Sequence, residues 1–251
     1  MREPTELPES GEYTLVIDPG GTLTGTVAAR LYVVSDQTGS IATTGDPVAA
    51  NITTPGQNAS FTFTGTQNQR VSLRGTDSTI HFQETGCDVW VVIRKPDDTD
   101  LSGTSTCMES DAFMAPVALP ASGQYKVVVD PNRTAVGELT LRLYDVVDQT
   151  GTTLTIGAAA VPVTLMVPGQ QAVLTFSGTP GQQATVRITS NGIGTTTVTL
   201  RKPDQTIATT KTSSATSFNL TTQTLVSGSY TVTVDPSSAL TGTLYIAVTS
   251  P

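Results

Sequence analysis

The sequence has 251 residues, only 14% of them charged, and its formal net charge of -8 corresponds to a pI near 4.5. This acidic balance argues against a nucleic-acid binder, because phosphate contacts need a basic surface. No apolar run reaches the roughly 20 residues that span a bilayer. Abundant Thr, Val and Gly, with few helix formers, predict an all-β chain.

A long internal repeat organises the sequence. Residues 11–19, 123–131 and 228–236 all begin with Gly-x-Tyr, continue with alternating apolar residues and end in Asp-Pro. Their starts are 112 and 105 residues apart. This period is far longer than a solenoid unit and matches one β-sandwich domain of about 100 residues.

Two shorter markers recur at a similar spacing. Pro-Gly-Gln-x-Ala begins at Pro55 and again at Pro168, and Arg-Lys-Pro-Asp begins at Arg94 and again at Arg201. The order of the markers is the same in both copies, so we interpret them as equivalent turns and strands of two repeated domains.

The last alternating run ends at Val248, three residues before the sequence stops, so we expect a repeat to close there. Residues 151–251 then form one whole repeat and residues 38–150 another. Residues 1–37 are left as the C-terminal strand pair of a truncated upstream repeat. Such a pair exposes sheet edges and an apolar face that must be covered. It could pack on the first whole repeat or pair with another chain, which would make the protein a self-assembling subunit.

Alternation with a period of two predicts the strand faces. Apolar residues point inward and Thr, Ser, Lys and Arg point outward, which is typical of antiparallel sheets with one solvated face. About eight such strands in each whole repeat, separated by turn residues, predict tandem antiparallel β-sandwich domains of jelly-roll type. In this alignment Val71 and Leu73 correspond to Val186 and Ile188.

Both cysteines, Cys87 and Cys107, lie in the first whole repeat. A strand, a Pro-Asp-Asp turn and a returning segment separate them, so their Cα atoms can approach to the roughly 5.5 Å that a disulfide needs. We therefore predict a disulfide, with two free thiols as the alternative. A disulfide implies an oxidising compartment, and hence secretion or the cell surface.

The markers of the first whole repeat occur in a characteristic order. Pro-Gly-Gln-x-Ala-x-x-Thr-Phe-x-Gly is followed by Lys-Pro-Asp, Leu-Pro-Ala-x-Gly and Tyr-x-Val-x-Val-Asp-Pro. This set resembles the tandem β-sandwich modules of large bacterial secreted and surface proteins, some of the YD-repeat or rearrangement-hotspot class, and is similar to bacterial pre-peptidase C-terminal domains. The resemblance implies a jelly-roll-like sandwich, a non-catalytic accessory role and an extracellular or cell-surface location in a bacterium. The second whole repeat departs from it by lacking both cysteines.

Trp90 is the most informative side chain. The residues on either side of it face the core, so Trp90 points outward, together with Arg94. An outward indole can stack on a sugar ring or anchor a partner protein; alternatively, a neighbouring segment covers it. An extra segment with His81 and Phe82, present only in the first whole repeat, either adds to such a binding site or forms the cover.

The densest acidic cluster contains Asp97, Asp98 and Asp100. Calcium binds several carboxylate oxygens, and an acidic turn can supply them. The spacing does not match an EF-hand loop, however, so a solvated hairpin turn is the preferred interpretation and calcium the alternative. We expect no other cofactor and no metal site of another kind.

No catalytic site is predicted. A nucleophilic triad needs a histidine, and nothing marks a Ser or Cys partner for His81, the only one. The Asp-Gln-Thr-Gly sequences that begin at Asp36 and Asp148 superficially resemble an aspartic-protease loop. They contain an extra Gln and fall at the repeat junctions, where we interpret them as hinge turns.

The leading hypothesis is therefore a structural spacer within a larger secreted or surface protein, because the short junctions contain no long Gly/Ser linker. The alternatives are a carbohydrate- or protein-binding accessory module that uses Trp90, and self-assembly through the N-terminal strand pair. The expected partners are other modules of the same or neighbouring chains, a polysaccharide or a surface protein. Neither a nucleic acid nor a membrane span is expected.

Overall fold

A computed structural model describes residues 4–81 and 86–251. The described residues form 19 strands in four sheets, and these sheets make two successive β-sandwiches. The predicted fold class, tandem all-β sandwiches, is confirmed. In the described part of the chain, no helix is long and apolar enough to cross a membrane.

The first sandwich contains nine strands. They are β1 Gln37–Ser40, β2 Val48–Ile52, β3 Ala59–Gly65, β4 Arg70–Thr76, β5 Val89–Arg94, β6 Thr106–Cys107, β7 Ala112–Ala118, β8 Gly123–Pro131 and β9 Gly137–Asp145. A five-stranded sheet in the order β1-β3-β8-β5-β6 packs against a four-stranded sheet in the order β2-β9-β4-β7.

The second sandwich repeats this plan with ten strands. They are β10 Gln149–Thr153, β11 Val161–Leu165, β12 Ala172–Gly178, β13 Gln183–Thr189, β14 Thr196–Arg201, β15 Ile207–Ser213, β16 Phe218–Asn219, β17 Gln223–Thr224, β18 Gly228–Pro236 and β19 Gly242–Thr249. The sheet β10-β12-β18-β14-β15 packs against the sheet β11-β19-β13-β16, with β17 beside β13.

Each sandwich closes its own core. Every second residue of the central strands is buried, as the alternation predicts, and the two core clusters share no residue. Tyr125 stacks on Phe63 with ring centroids 5.4 Å apart, and Tyr230 stacks on Phe176 at 5.2 Å. The two repeats therefore build equivalent cores from equivalent residues.

The sheets are antiparallel, as predicted, except for one strand pairing in each sandwich. β1 runs parallel to β3, and β10 runs parallel to β12. The reason is the path of the chain: between the two parallel strands it crosses to the opposite sheet, as β2 or β11, and returns in the original direction.

One predicted correspondence was wrong by two residues. Leu73 pairs with Leu143, and Val186 pairs with Val248, and these two partners occupy the same place in β9 and β19. Leu73 therefore corresponds to Val186 and not to Ile188. A shift of two keeps every side chain on the same face of its strand, so alternation alone does not detect it.

Residues 4–36 contain no strand, so the strand pair of a truncated upstream repeat, assigned to residues 1–37, stays a prediction. Their apolar side chains are exposed, with Leu15 at 70% and Leu31 at 88%. Two strands alone rarely bury an apolar face well enough to be stable. β1 and β10 begin at Gln37 and Gln149, while the division of the chain into units at 37/38 and 150/151 stays a prediction.

Cys87 and Cys107 form the predicted disulfide, with their Cα atoms 5.8 Å apart. The two cysteines are 20 positions apart in the sequence. The bridge fastens the short edge strand β6 to the residues that precede β5, so it holds one edge of the first sandwich.

Replacing both cysteines by alanine should destabilise the first sandwich by about 3 kcal/mol, because a bridge that closes a loop of this length restricts the unfolded chain. Trp90 is the only tryptophan and lies in the first sandwich, so its fluorescence follows that sandwich alone in a denaturant titration. Far-UV circular dichroism follows both sandwiches. We expect the fluorescence midpoint to fall while the second sandwich keeps its wild-type midpoint; a common shift of both would contradict separate cores.

Candidate functional site

Trp90 lies on the outer face of the five-stranded sheet of the first sandwich. The indole is 44% exposed, although Val89 and Val91 on either side of it are fully buried. Its neighbours across the sheet are Asp130 on β8 and Cys107 on β6. Alternation therefore places Trp90 outward as predicted, beside the disulfide.

Two valines extend this aromatic surface. Val92 lies on the same face of β5 and pairs with Val128 of β8, and both side chains are half-buried. We refer to Trp90, Val92 and Val128 as the Trp90 patch. In the second sandwich the same three positions are Thr197, Thr199 and Thr233. One fold thus carries an apolar patch on one sandwich and a threonine surface on the other.

The threonine hydroxyls on this face of the second sandwich form hydrogen bonds with one another. The hydroxyls of Thr197 and Thr212 are 2.8 Å apart, and those of Thr199 and Thr210 are 2.9 Å apart. This face is a hydrogen-bonded polar ladder, and it offers no aromatic surface at the position equivalent to Trp90.

Arg94, predicted as part of the Trp90 site, shares its face but lies at the other end of β5. Four residues of extended strand separate their Cα atoms by about 13 Å. The Arg94 Nε donates to Asp100 Oδ1 at 3.1 Å. Arg94 therefore belongs to the charged turn that follows β5 rather than to the Trp90 patch.

His81 is held beside the start of β5. Its Nδ1 is 2.7 Å from Oδ2 of Asp88, whose side chain is only 11% exposed. Asp88 in turn donates its backbone N–H to Glu109 Oε1 at 2.6 Å. Since Asp88 precedes Trp90 by two residues, His81 lies at the same end of the sandwich as the indole. Phe82, predicted with it, lies outside the described residues.

An open acidic groove runs beside this pair. It is lined by Ser78, His81, Asp88, Glu109 and Ser110. The groove is not evident from the sequence, because its residues come from three separate segments, 78–81, 86–88 and 109–110, whose approach depends on the tertiary fold.

The acidic groove continues towards a paired carboxylate. Arg74 donates two hydrogen bonds to Asp111, from Nε at 2.7 Å and from a terminal guanidinium nitrogen at 2.6 Å. This bidentate contact lowers the pKa of Asp111 below its ordinary value. The carboxylate is therefore held ionised by a cation of the protein itself.

The three carboxylates considered for calcium have separate partners. Asp97 Oδ1 accepts hydrogen bonds from the hydroxyl and the backbone N–H of Thr99, at 2.7 and 3.0 Å. Lys126 donates to Asp98 at 2.8 Å, and Asp100 pairs with Arg94 as described above. The turn therefore balances its acids with local donors and does not gather them around one point.

Among residues 4–81 and 86–251, only one group of three or more His, Cys, Asp or Glu side chains has its potential metal-ligand atoms within 4.8 Å of one another. It consists of Cys87, Cys107 and Glu109. The two sulfurs are joined to each other, so they are not thiolate ligands in this state.

A second surface, not predicted from the sequence, is the junction between the sandwiches. The turn between β11 and β12, residues 167–170, inserts Pro168 and Gly169 against the four-stranded sheet of the first sandwich, and both residues are buried. Ser72, fully buried on the outer face of β4, donates its hydroxyl to the carbonyl oxygen of Pro168 at 2.8 Å. We call residues 167–170 the docking turn.

Gly169 fits the junction because it has no side chain. Its φ is +84°, and a Cβ atom built on it would lie 2.4 Å from Cγ of Pro116 and 3.2 Å from the ring of Phe113. Both of these residues belong to β7 of the first sandwich. A left-handed conformation and a close contact thus both require glycine here.

The connection between the sandwiches is tied to the docking turn. Asp148 binds Arg70 of the first sandwich through Oδ2 at 2.5 Å and accepts the N–H of Gln171 through Oδ1 at 3.0 Å. Gln170 donates to the carbonyl of Val147 at 2.7 Å. The Asp-Gln-Thr-Gly sequences, interpreted as hinge turns, instead contribute their Gln, Thr and Gly to the first three positions of β1 and β10.

No protein-family model and no curated protein matches the sequence. Among solved structures, the pre-peptidase C-terminal domain of a collagenase from Bacillus anthracis is 17% identical, with a TM-score of 0.33, covering 41% of this chain and 94% of that one. The periplasmic g-type lysozyme inhibitor PliG of Aeromonas hydrophila is 13% identical, with a TM-score of 0.31, covering 43% and 99%. The tandem CBM22-1-CBM22-2 domains of Paenibacillus barcinonensis Xyn10C are 8% identical, with a TM-score of 0.26, covering 84% and 99%. Likenesses of this size carry no argument about function.

The acidic turn yields a test by titration. Hydrogen bonds from Thr99 lower the pKa of Asp97, and the equivalent bonds from Thr206 lower the pKa of Asp204. Their stabilising effect is complete above the ordinary carboxyl pKa and is lost as pH falls through the lowered one. Thr99→Val should raise the pKa of Asp97 towards its ordinary value and leave Asp204 unchanged, as measured by NMR of the carboxyl carbons; Thr206→Val should do the reverse. An Asp97 pKa that does not move in Thr99→Val would contradict the assignment.

Proposed function

We propose that the chain is a non-catalytic structural module that holds two β-sandwiches in a fixed relative orientation within a larger secreted or surface protein of a bacterium. The junction between the sandwiches carries this proposal, since a buried turn, a hydrogen bond and an ion pair join them. The disulfide is consistent with an oxidising compartment. The resemblance of the sequence markers to modules of bacterial secreted proteins supports the location.

The junction resists rotation because its contacts act together. Separating the sandwiches would break the hydrogen bond from the Ser72 hydroxyl to the Pro168 carbonyl, and such a bond contributes about 0.5–1.5 kcal/mol net. The connection is also fastened, since the backbone N–H of buried Val146 donates to the carbonyl of Arg70 at 2.8 Å. Bending the chain at this point therefore breaks several interactions at once.

The distance between two spin labels tests the stiffness of the junction between the sandwiches. Thr64 and Ser177 are exposed and occupy the same place in β3 and β12, so Thr64→Cys and Ser177→Cys place one label on each sandwich. Double electron–electron resonance should give a single narrow distance distribution. Removing the junction contacts with Arg70→Ala and Ser72→Ala should broaden it.

A matched control changes an ion pair away from the junction. Arg94→Ala removes the contact with Asp100 on the opposite sheet and should leave the distance distribution narrow. A broad distribution in the otherwise unchanged chain, as wide as in the junction variant, would show that the sandwiches reorient freely and would reject the spacer.

A second candidate function, recognition of a carbohydrate or a protein surface, is favoured by the Trp90 patch. The patch is apolar and partly open at three positions where the second sandwich carries threonine. The face of an indole stacks on the apolar face of a sugar ring and also serves as an anchor in protein interfaces. The flat outer surface of a sheet suits an extended polymer better than a small molecule.

This candidate predicts a saturable ligand effect at Trp90. Titrating the protein with a panel of soluble polysaccharides should shift its fluorescence with one of them. In calorimetry with that polysaccharide, Trp90→Thr should lower the affinity at least tenfold. Tyr245→Thr, at an aromatic of similar exposure (42%) on the second sandwich, should keep it. Fluorescence that no polysaccharide changes, or unchanged affinity in Trp90→Thr, would remove carbohydrate recognition at this site.

A further inference from the structure

The docking turn of the second sandwich has a counterpart in the first. Pro55-Gly56-Gln57 lies between β2 and β3, in the same place as Pro168-Gly169-Gln170 between β11 and β12. The two glycines share an unusual conformation, with φ of +86° and +84°. The backbone of both turns is thus shaped alike.

The glutamine of each turn makes the same two hydrogen bonds. Gln57 accepts the N–H of Thr53 at 2.8 Å and donates to the carbonyl of Ser35 at 2.8 Å. Gln170 makes the equivalent bonds at 3.0 and 2.7 Å. Both turns are therefore fastened to the segment that precedes the first strand of their sandwich.

Each turn is also hydrogen-bonded to an aspartate, and the two aspartates differ in whether they form an ion pair with another sandwich. Asp36 accepts the N–H of Asn58 at 2.9 Å through Oδ1, as Asp148 accepts that of Gln171. Asp148 uses its other oxygen to bind Arg70 of the preceding sandwich. Within residues 4–81 and 86–251, no cation forms the corresponding ion pair with Asp36, which is exposed.

The two turns also differ in how deeply they are buried. Pro168 and Gly169 are buried by the first sandwich, whereas Pro55 and Gly56 are only half-buried. The first turn has the shape and the internal hydrogen bonds of a docking turn, but its outer surface is not covered to the same degree.

We propose that Pro55, Gly56 and Gln57, together with Asp36, form a second docking turn. This turn packs against the outer sheet face of another β-sandwich of this kind. The occupant carries an arginine and a serine where the first sandwich has Arg70 and Ser72. This inference rests on the proposed spacer function and extends it by one junction on the amino-terminal side.

Residues 11–33 identify the occupant. They repeat the sequence of β8 and β9 at a spacing of 112 residues, and Asp36 follows them as Asp148 follows β9. Their exposed apolar side chains correspond, by position in the repeat, to buried side chains of β8 and β9. Leu15, Val27 and Leu31 are 70%, 62% and 88% exposed. The equivalent residues Val127, Leu139 and Leu143 are 0% exposed. The seated sandwich is therefore the one that residues 11–33 complete as its last two strands.

An internal duplication tests the proposal and keeps the full chain. Residues 37–148 are inserted after Asp148, so that three sandwiches follow one another. The insertion restores Asp-Gln-Thr-Gly at the new junction, because Gln37 now follows Asp148. The added copy contains a complete core cluster of its own. Its Pro55-Gly56-Gln57 turn then faces a sandwich that carries Arg70 and Ser72.

Spin labels on Thr64→Cys in both copies measure the new junction. The expected result is the same mean distance and the same narrow width as for the Thr64/Ser177 pair of the unmodified chain. Arg70→Ala with Ser72→Ala in the first copy should broaden this distribution. The same two substitutions in the second copy act on the native junction only and should leave it narrow.

The outcomes separate this inference from the spacer function. A narrow Thr64/Ser177 distribution in the unmodified chain together with a broad one at the new junction overturns the second docking turn alone. A broad distribution in both rejects the spacer function as well. A narrow distribution at a different distance means that the turn packs against a different surface. A dimer of the duplicated chain in size-exclusion chromatography means that it packs against another chain. Either result also overturns the proposal.

Discussion

Every second residue of the central strands is used by the core of its own sandwich, where Tyr125 and Tyr230 stack on their phenylalanine partners. Only the outward-facing residues are left for contacts with anything else. On the four-stranded sheet of the first sandwich they hold the second sandwich, through Ser72 and its neighbours. On the five-stranded sheet they form the Trp90 patch. Because these are opposite faces of one body, the junction and a ligand at Trp90 do not compete for surface.

The two sandwiches serve as controls for each other. They share topology, core stacking and the turn after β5 or β14, where Asp97 and Asp204 accept the same threonine hydrogen bonds. Differences on their outer faces therefore do not arise from the demands of folding. Where the second sandwich has a threonine ladder, the first has an indole and two valines. A surface that departs from its own repeat at three adjacent positions is more informative than an exposed tryptophan alone.

The alternation of residues along a strand and the turns between strands predict side-chain direction and the pairing of nearby segments. Alternation places Val89 inside and Trp90 outside, and the returning segment brings Cys87 to Cys107. Alternation has no information on register, so Leu73 was matched two residues too far along the second repeat. The junction was missed for a related reason. Ser72 reads as an ordinary outward serine, and only the three-dimensional structure brings the carbonyl of Pro168, 96 positions away, onto its hydroxyl. Asp36 and Asp148 were noticed as repeated residues, but a turn-forming sequence does not reveal which strand it fastens.

The junction has a direction, because both sandwiches possess the inserting turn while only one possesses the receiving face. The face that receives the turn on the first sandwich combines a cation, a hydroxyl donor and two apolar rings, namely Arg70, Ser72, Phe113 and Pro116. Strand register assigns uncharged polar residues to the same positions of the second sandwich, in the same order Gln183, Thr185, Asn219 and Thr222. The hydroxyl of Thr185 is 2.7 Å from that of Thr222 and is already engaged. A further sandwich seated on the second one would therefore need different contacts, whereas the turn at Pro55 already has the geometry to enter a face like that of the first.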